Sequence, residues 1–164
     1  VNHWPCSFYI TRKDLMYKTI AKIAEIHGYK HFPFLPKTFI LPAEYQYLQL
    51  EMQKALSNIH IQTAASSQGK GIFVTNKLAE IPLKNSGSNY VVSEYVANPL
   101  LLNGFKFDMR IYVAVTSVNP LRLYIYEEGL ARFATCKYEN TNGQKSKFMH
   151  LTNYSINKKN TAFI

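Results

Sequence analysis

The chain has 164 residues, of which 47% are hydrophobic, and a formal net charge of +9. That apolar share excludes a disordered chain, and the length suits one domain with a real core or a large piece of a bigger one. The basic balance calls for an acidic partner: nucleic acid, a phosphate compound or an acidic protein.

Thr11-Arg12-Lys13-Asp14 reads as a helix start, with Thr11 as N-cap and Asp14 three residues later. Met16, Ile20, Ile23 and His27 follow at helical spacing, and Gly28 suits the position just past the helix end. A proline-punctuated extended stretch runs from His31 to Leu41. Pro42 then opens a second helix as its first residue, with Tyr45, Leu48, Met52 and Leu56 on one side.

After Ser57 the period becomes two. Strands are expected at Asn58–Thr63, Gly71–Thr75, Tyr90–Tyr95, Phe107–Thr116, Leu121–Tyr126 and Arg132–Cys136. Asn119-Pro120 and Glu128-Gly129 supply turn chemistry between neighbours. Such short separations argue for antiparallel sheet, so the fold class is α+β, mostly antiparallel sheet with flanking helices. The division expected is 1–57, a helical and extended N-terminal segment, and 58–164, a central region.

No apolar run approaches the ~20 residues of a membrane span, and no signal-peptide pattern opens the chain. Cys6 and Cys136 are the only cysteines, without metal-ligand spacing, which fits a reducing compartment. The chain starts at Val1 without an initiator Met and ends at Ile164, straight after Lys158-Lys159-Asn160; a fragment is expected.

Three segments carry possible chemistry. In Phe105-Lys-Phe-Asp-Met-Arg-Ile-Tyr-Val113 the odd positions are apolar, while the even ones are Lys106, Asp108, Arg110 and Tyr112. Alternation puts three charges on one face, where cations grip phosphate oxygens and the carboxylate orients them. The bland reading is an amphipathic strand with a wet outer face. Ala64-Ala-Ser-Ser-Gln-Gly-Lys-Gly-Ile72 is a glycine-rich loop between strands, suited to a flap over phosphates or to a plain hairpin; it lacks the Walker A pattern. Thr152 and Asn153, beside His150, offer short polar groups to a ribose or phosphate. No zinc spacing, Ser-His-Asp order or redox cysteine pair occurs, and no metal-ligand set is assigned within the chain.

The order of these motifs resembles the tubulin–tyrosine-ligase-like family of the ATP-grasp superfamily, with Leu35-Pro-Lys-Thr-Phe-Ile-Leu-Pro42, Ser93-Glu-Tyr-Val-Ala-Asn-Pro99, Glu128-Gly-Leu-Ala-Arg-Phe133 and Phe148-Met-His-Leu-Thr-Asn-Tyr154 as further landmarks. Tyr124-Ile-Tyr-Glu-Glu-Gly-Leu-Ala-Arg-Phe-Ala-Thr135 is most similar to the polyglutamylase branch. The resemblance implies an ATP-grasp-like fold, incomplete at the C-terminus, and an ATP- and magnesium-dependent ligase. An acceptor glutamate on tubulin attacks the γ-phosphate, and the amine of free glutamate displaces phosphate from the resulting acyl phosphate. Arg110 and Arg132 are the implied catalytic residues. The implied nucleotide contacts are Lys106, Asp108, Thr152 and Asn153, the hinge Glu94, Tyr95 and Val96, the loop residues Gln68, Gly69 and Gly71, and Lys13 and Gln62.

Two departures accompany the resemblance. Gln62 stands where the family carries a phosphate-binding Lys, which would cost ~1.5–3 kcal/mol, or roughly ten- to a hundredfold in binding or rate. The family's Glu-x-Asn magnesium ligands are expected beyond residue 164. The implied setting is cytoplasmic microtubules, the cilium or basal body included, with the acidic tubulin tail as partner and neither nucleic acid nor membrane. The alternative is a truncated or degenerate module that binds microtubules without catalysis. Nucleic-acid binding fits the charge and the Tyr and Phe content, but the aromatics fall at core-like spacings and no RRM, KH or helix-turn-helix signature occurs.

Overall fold

Lys13–His27 winds into the longest helix, α2, after a single helical turn, α1 (Phe8–Thr11). The computed structural model describes residues 3–54, 59–63, 71–81, 90–139 and 146–161, with the backbone alone described at 59–63. Thr11 is not the N-cap: it closes α1, and Arg12 precedes α2 without a side-chain cap. Asp14, buried in the first turn of α2, instead takes both branches of the Arg12 guanidinium, at 2.8 and 3.2 Å. That hydrogen-bonded pair holds the Asp14 carboxyl below the usual carboxylate range. The helix stops at Gly28, whose φ of +93° lies where a Cβ is penalised. Ile23 and His27 face solvent; Ala24 and Asp14 are the buried positions of α2.

The extended stretch ends in strand β1 (Thr38–Leu41), and Pro42 sits in the turn that follows. The second helix, α3 (Tyr45–Lys54), starts three residues later than a first-position proline requires. The Glu44 carboxylate accepts from Ile40 N–H at 2.6 Å and fastens this turn to the strand. Strands β2 (Ile59–Thr63), β3 (Phe73–Thr75) and β4 (Tyr90–Glu94) complete a four-stranded sheet in the order β1-β4-β2-β3, each pair antiparallel. Leu48 of α3 packs with Leu41, Ile81 and Val92 as the core, and Phe39, Tyr45, Met52 and Phe73 close around it. Leu56 lies outside the described residues.

Contacts within the chain divide it into two units, one reaching Ala97 and the other starting at Asn98. The second unit holds β5 (Leu101–Leu102), β6 (Phe105–Val118) and β7 (Leu121–Lys137), antiparallel in that order, followed by the short helices α4 (Lys147–His150) and α5 (Tyr154–Asn157). Asn103 and Gly104, both at positive φ, form the two-residue turn between β5 and β6. Asn119-Pro120 turns β6 into β7, as its composition suggested.

Glu128-Gly129 is not a turn. The two strands expected at Leu121–Tyr126 and Arg132–Cys136 are one, and Gly129 lies within it opposite Ile111. A Cβ on Gly129 would stand 2.6 Å from the Arg110 carbonyl oxygen, so this glycine serves close backbone approach. The register shifts beside it, between Ile111 and Val113, where β7 carries extra residues.

Register confirms the apolar face of β6: Phe107 pairs with Phe133, Met109 with Ala131, Val113 with Ile125 and Val115 with Leu123. That face is exposed over most of its length, Met109 by 65% and Ile125 by 71%. Although the aromatics as a group fall at core-like spacings, Tyr47, Tyr112, Tyr124, Tyr126 and Tyr154 all face solvent. Their spacing reflects alternating strands and helix faces, which do not by themselves supply a covering layer.

Candidate functional site

Strand alternation carries Lys106, Asp108 and Arg110 to one face of β6, but the three cationic and anionic groups meet different partners. The Lys106 ammonium donates to the His150 carbonyl oxygen at 3.0 Å, and burial pulls its pKa down. Arg132 lies directly across from Asp108 in the β6–β7 ladder and embraces its carboxylate with a two-pronged fork, Nε to Oδ1 at 2.7 Å and the terminal nitrogen to Oδ2. The hydrogen bond to Asp108 raises the Arg132 pKa further, so this guanidinium is charged at all working pH. Arg110, two residues along, is exposed and makes no salt bridge among the described residues.

Arg132 also lines a cleft of about 660 Å³ within this unit, together with Leu102, Phe105, Thr135, Thr152 and Asn157. Thr152 is buried at the cleft wall. Its neighbour Asn153 immediately precedes α5, and the Asn153 carbonyl oxygen accepts from the Asn157 side chain and from the backbone of α5. His150 closes the other side of this loop; burial and the nearby Lys106 ammonium lower its pKa, and its ring meets Tyr138 edge-on at 6.0 Å. Arg132 and Thr152 are therefore brought together, and Asp108 orients the first. Lys106 and Asn153 lie on the adjoining strand and loop.

The remaining expected residues belong to the first unit. Lys13 stands in the first turn of α2, where burial lowers its pKa. Glu94 ends β4, and its N–H donates to the Lys37 carbonyl oxygen at 2.8 Å, so that donor serves the sheet. Tyr95 and Val96 follow, Val96 exposed. Gln62 occupies β2 opposite Val91. Strands β2 and β3 flank the glycine-rich loop as an antiparallel pair, and Gly71 at its end has φ +66°. Gln68 and Gly69 lie outside the described residues.

Among the described residues no group of three or more His, Cys, Asp or Glu is placed to hold a metal ion. No described helix is long and apolar enough to cross a membrane. Sequence reading overlooked Asn157 and Thr135, which sit in the cleft wall. The available signal was the four-residue spacing of Asn153 and Asn157, which places both on one side of a helical turn.

Residues 1–163 match the Tubulin-tyrosine ligase family. The Tubulin polyglutamylase TTLL5 of Mus musculus is 47% identical over 165 residues, which cover 100% of this chain and 12% of that protein. The Tubulin monoglutamylase TTLL4 of Mus musculus is 42% identical, over 99% of this chain and 14% of its own. The Tubulin polyglutamylase TTLL6 of Homo sapiens is 41% identical, over 99% of this chain and 18% of its own. The chain thus spans less than a fifth of the length of these relatives. A match through nearly every residue, on an α+β framework of antiparallel sheets with flanking helices, establishes that the chain belongs to the tubulin-tyrosine ligase family, whose fold is ATP-grasp-like.

Proposed function

We propose that this chain handles the nucleotide in an ATP-dependent ligase that adds glutamate branches to the acidic tail of tubulin on cytoplasmic microtubules, those of the cilium and basal body included. The observation that carries the reading is the Arg132 fork, held by Asp108 at the edge of a cleft shared with Thr152, in a chain 47% identical to a tubulin polyglutamylase. In this reading Arg132 and Arg110 neutralise charge developing on the transferred phosphoryl group. Lys106, Thr152 and Asn153 contact the nucleotide. The acceptor glutamate carboxylate takes the γ-phosphate from ATP, leaving ADP. The α-amine of free glutamate then forms the isopeptide bond as phosphate leaves and the amine proton passes to solvent. Magnesium would accompany the nucleotide and offset its phosphate charge.

A chimera of mouse TTLL5 whose matching region is replaced by this chain tests the proposal. Incorporation of labelled glutamate into tubulin is the expected result, with loss on Arg132→Lys. A chimera that folds, binds tubulin and transfers no glutamate overturns the activity. The second reading, a non-catalytic microtubule-binding module, is favoured by Gln62 at the expected Lys position. It predicts salt-sensitive co-sedimentation with microtubules and no ATP binding.

A further inference from the structure

Asn157 is 1% exposed, yet its side chain makes a full set of hydrogen bonds. Its Oδ1 accepts from the Thr135 N–H at 3.0 Å and from the Thr135 hydroxyl at 2.9 Å. Its Nδ2 donates to the Leu151 carbonyl at 2.7 Å and to the Asn153 carbonyl at 3.1 Å. The orientation is unique, because a backbone N–H can only donate and two carbonyls can only accept. The two acceptors are the residues on either side of Thr152. The two donors belong to one residue of β7, three positions beyond Arg132.

We propose that Asn157 is a positioning residue, which fixes Thr152 opposite Arg132 so that the cleft presents a hydroxyl and a guanidinium together to the phosphates of a nucleotide. The nucleotide part rests on the function proposed above; the clamp does not. Asn160 supports the same anchor, donating to the Thr135 hydroxyl at 2.7 Å. A side chain that merely filled space would need none of these bonds, whereas an apolar residue here would leave a strand N–H and two loop carbonyls to find other partners.

Asn157→Asp separates positioning from packing, because it keeps the shape and the acceptor but loses both donors. A buried carboxyl with carbonyls before it has a raised pKa, so protonation at mildly acid pH restores one donor. Titration of the 164-residue chain with ATP should show binding weakened about tenfold at pH 7.5, relative to the unsubstituted chain at the same pH. The deficit should shrink to about threefold at pH 5.5 as that donor returns. Amide hydrogen exchange should speed up at Thr135, Thr152 and Asn153 while the Phe107–Met109 ladder stays protected. ATP binding unchanged by Asn157→Asp overturns the positioning role, as does a deficit that pH does not move. If Asn157→Asp fails to fold, Thr135→Val keeps the backbone N–H but removes the hydroxyl that donates to Asn157 and accepts from Asn160, and should weaken ATP binding about threefold; no change overturns the proposal. If the unsubstituted chain binds no ATP, the nucleotide reading fails. The clamp is then decided by exchange: faster exchange at Thr152 in Asn157→Asp supports it, and unaltered protection overturns it.

Discussion

Asp108 and Arg132 show how a half-exposed ion pair can matter more for geometry than for stability. Their side chains are 40% and 29% exposed, so water screens the attraction, and breaking it should cost at most about 1 kcal/mol in urea titration. The fork geometry is a different matter, since an ammonium cannot reproduce it. Arg132→Lys should therefore weaken ATP binding about tenfold with little change in stability. Equal affinity for the two proteins would remove Arg132 from the nucleotide contacts. His150 supports a second residue-scale prediction. Burial, aided by the Lys106 ammonium, keeps its folded pKa below the ordinary value, whereas in the unfolded chain it protonates near about 6.5. Between those two values the unfolded state binds more protons, so stability rises with pH in that window. It is complete above about 6.5 and declines as pH falls below it. Subtracting the urea midpoints of His150→Phe from those of the unsubstituted chain should leave this slope; parallel pH curves would contradict it.

At the scale of elements, Gly129 decides whether β7 is one strand or two. Gly129→Ala puts a methyl group 2.6 Å from the Arg110 carbonyl oxygen, a backbone atom that cannot swing aside. The expected loss is about 1–3 kcal/mol in chemical denaturation, with weakened exchange protection at Arg110. A neutral substitution would mean that the strands do not approach so closely. The same glycine explains why the hairpin was only half legible in the sequence. Alternation in Phe105–Val113 is a local property of extended backbone, and register bears it out through Phe107–Phe133 and Met109–Ala131. Gly129 has two physical uses, turn and close approach, and its neighbours do not distinguish them. Thr11 failed as a cap because it belongs to the single turn α1, which had no periodic signal, and Arg12 could reach Asp14 directly. Within the site, Asp108, Arg132 and Thr152 stand out by type and order. Asn157 does not, because its role lies in bonds across twenty-two residues to Thr135.

For the whole molecule, the exposed apolar face of β6 and β7 sets the most direct expectation. Met109, Ile111, Val113, Leu123 and Ile125 present side chains to solvent along one face of a hairpin whose register is already fixed by main-chain hydrogen bonds. Contiguous apolar surface of this kind binds amphiphilic dyes and other apolar surfaces. Yet the residues forming it contribute little to folding this chain, because they remove little area from water. The two consequences can be separated. Ile111→Lys combined with Ile125→Lys should cut the fluorescence of a bound anilinonaphthalene dye by roughly half. The same pair should shift stability by no more than about 1 kcal/mol, most of that from lost strand propensity. The net charge of +9 would rise by the two added lysines, so self-association at low salt should also fall. A loss of several kcal/mol would show these side chains packed within the fold, and undiminished dye emission would place the accessible apolar surface elsewhere.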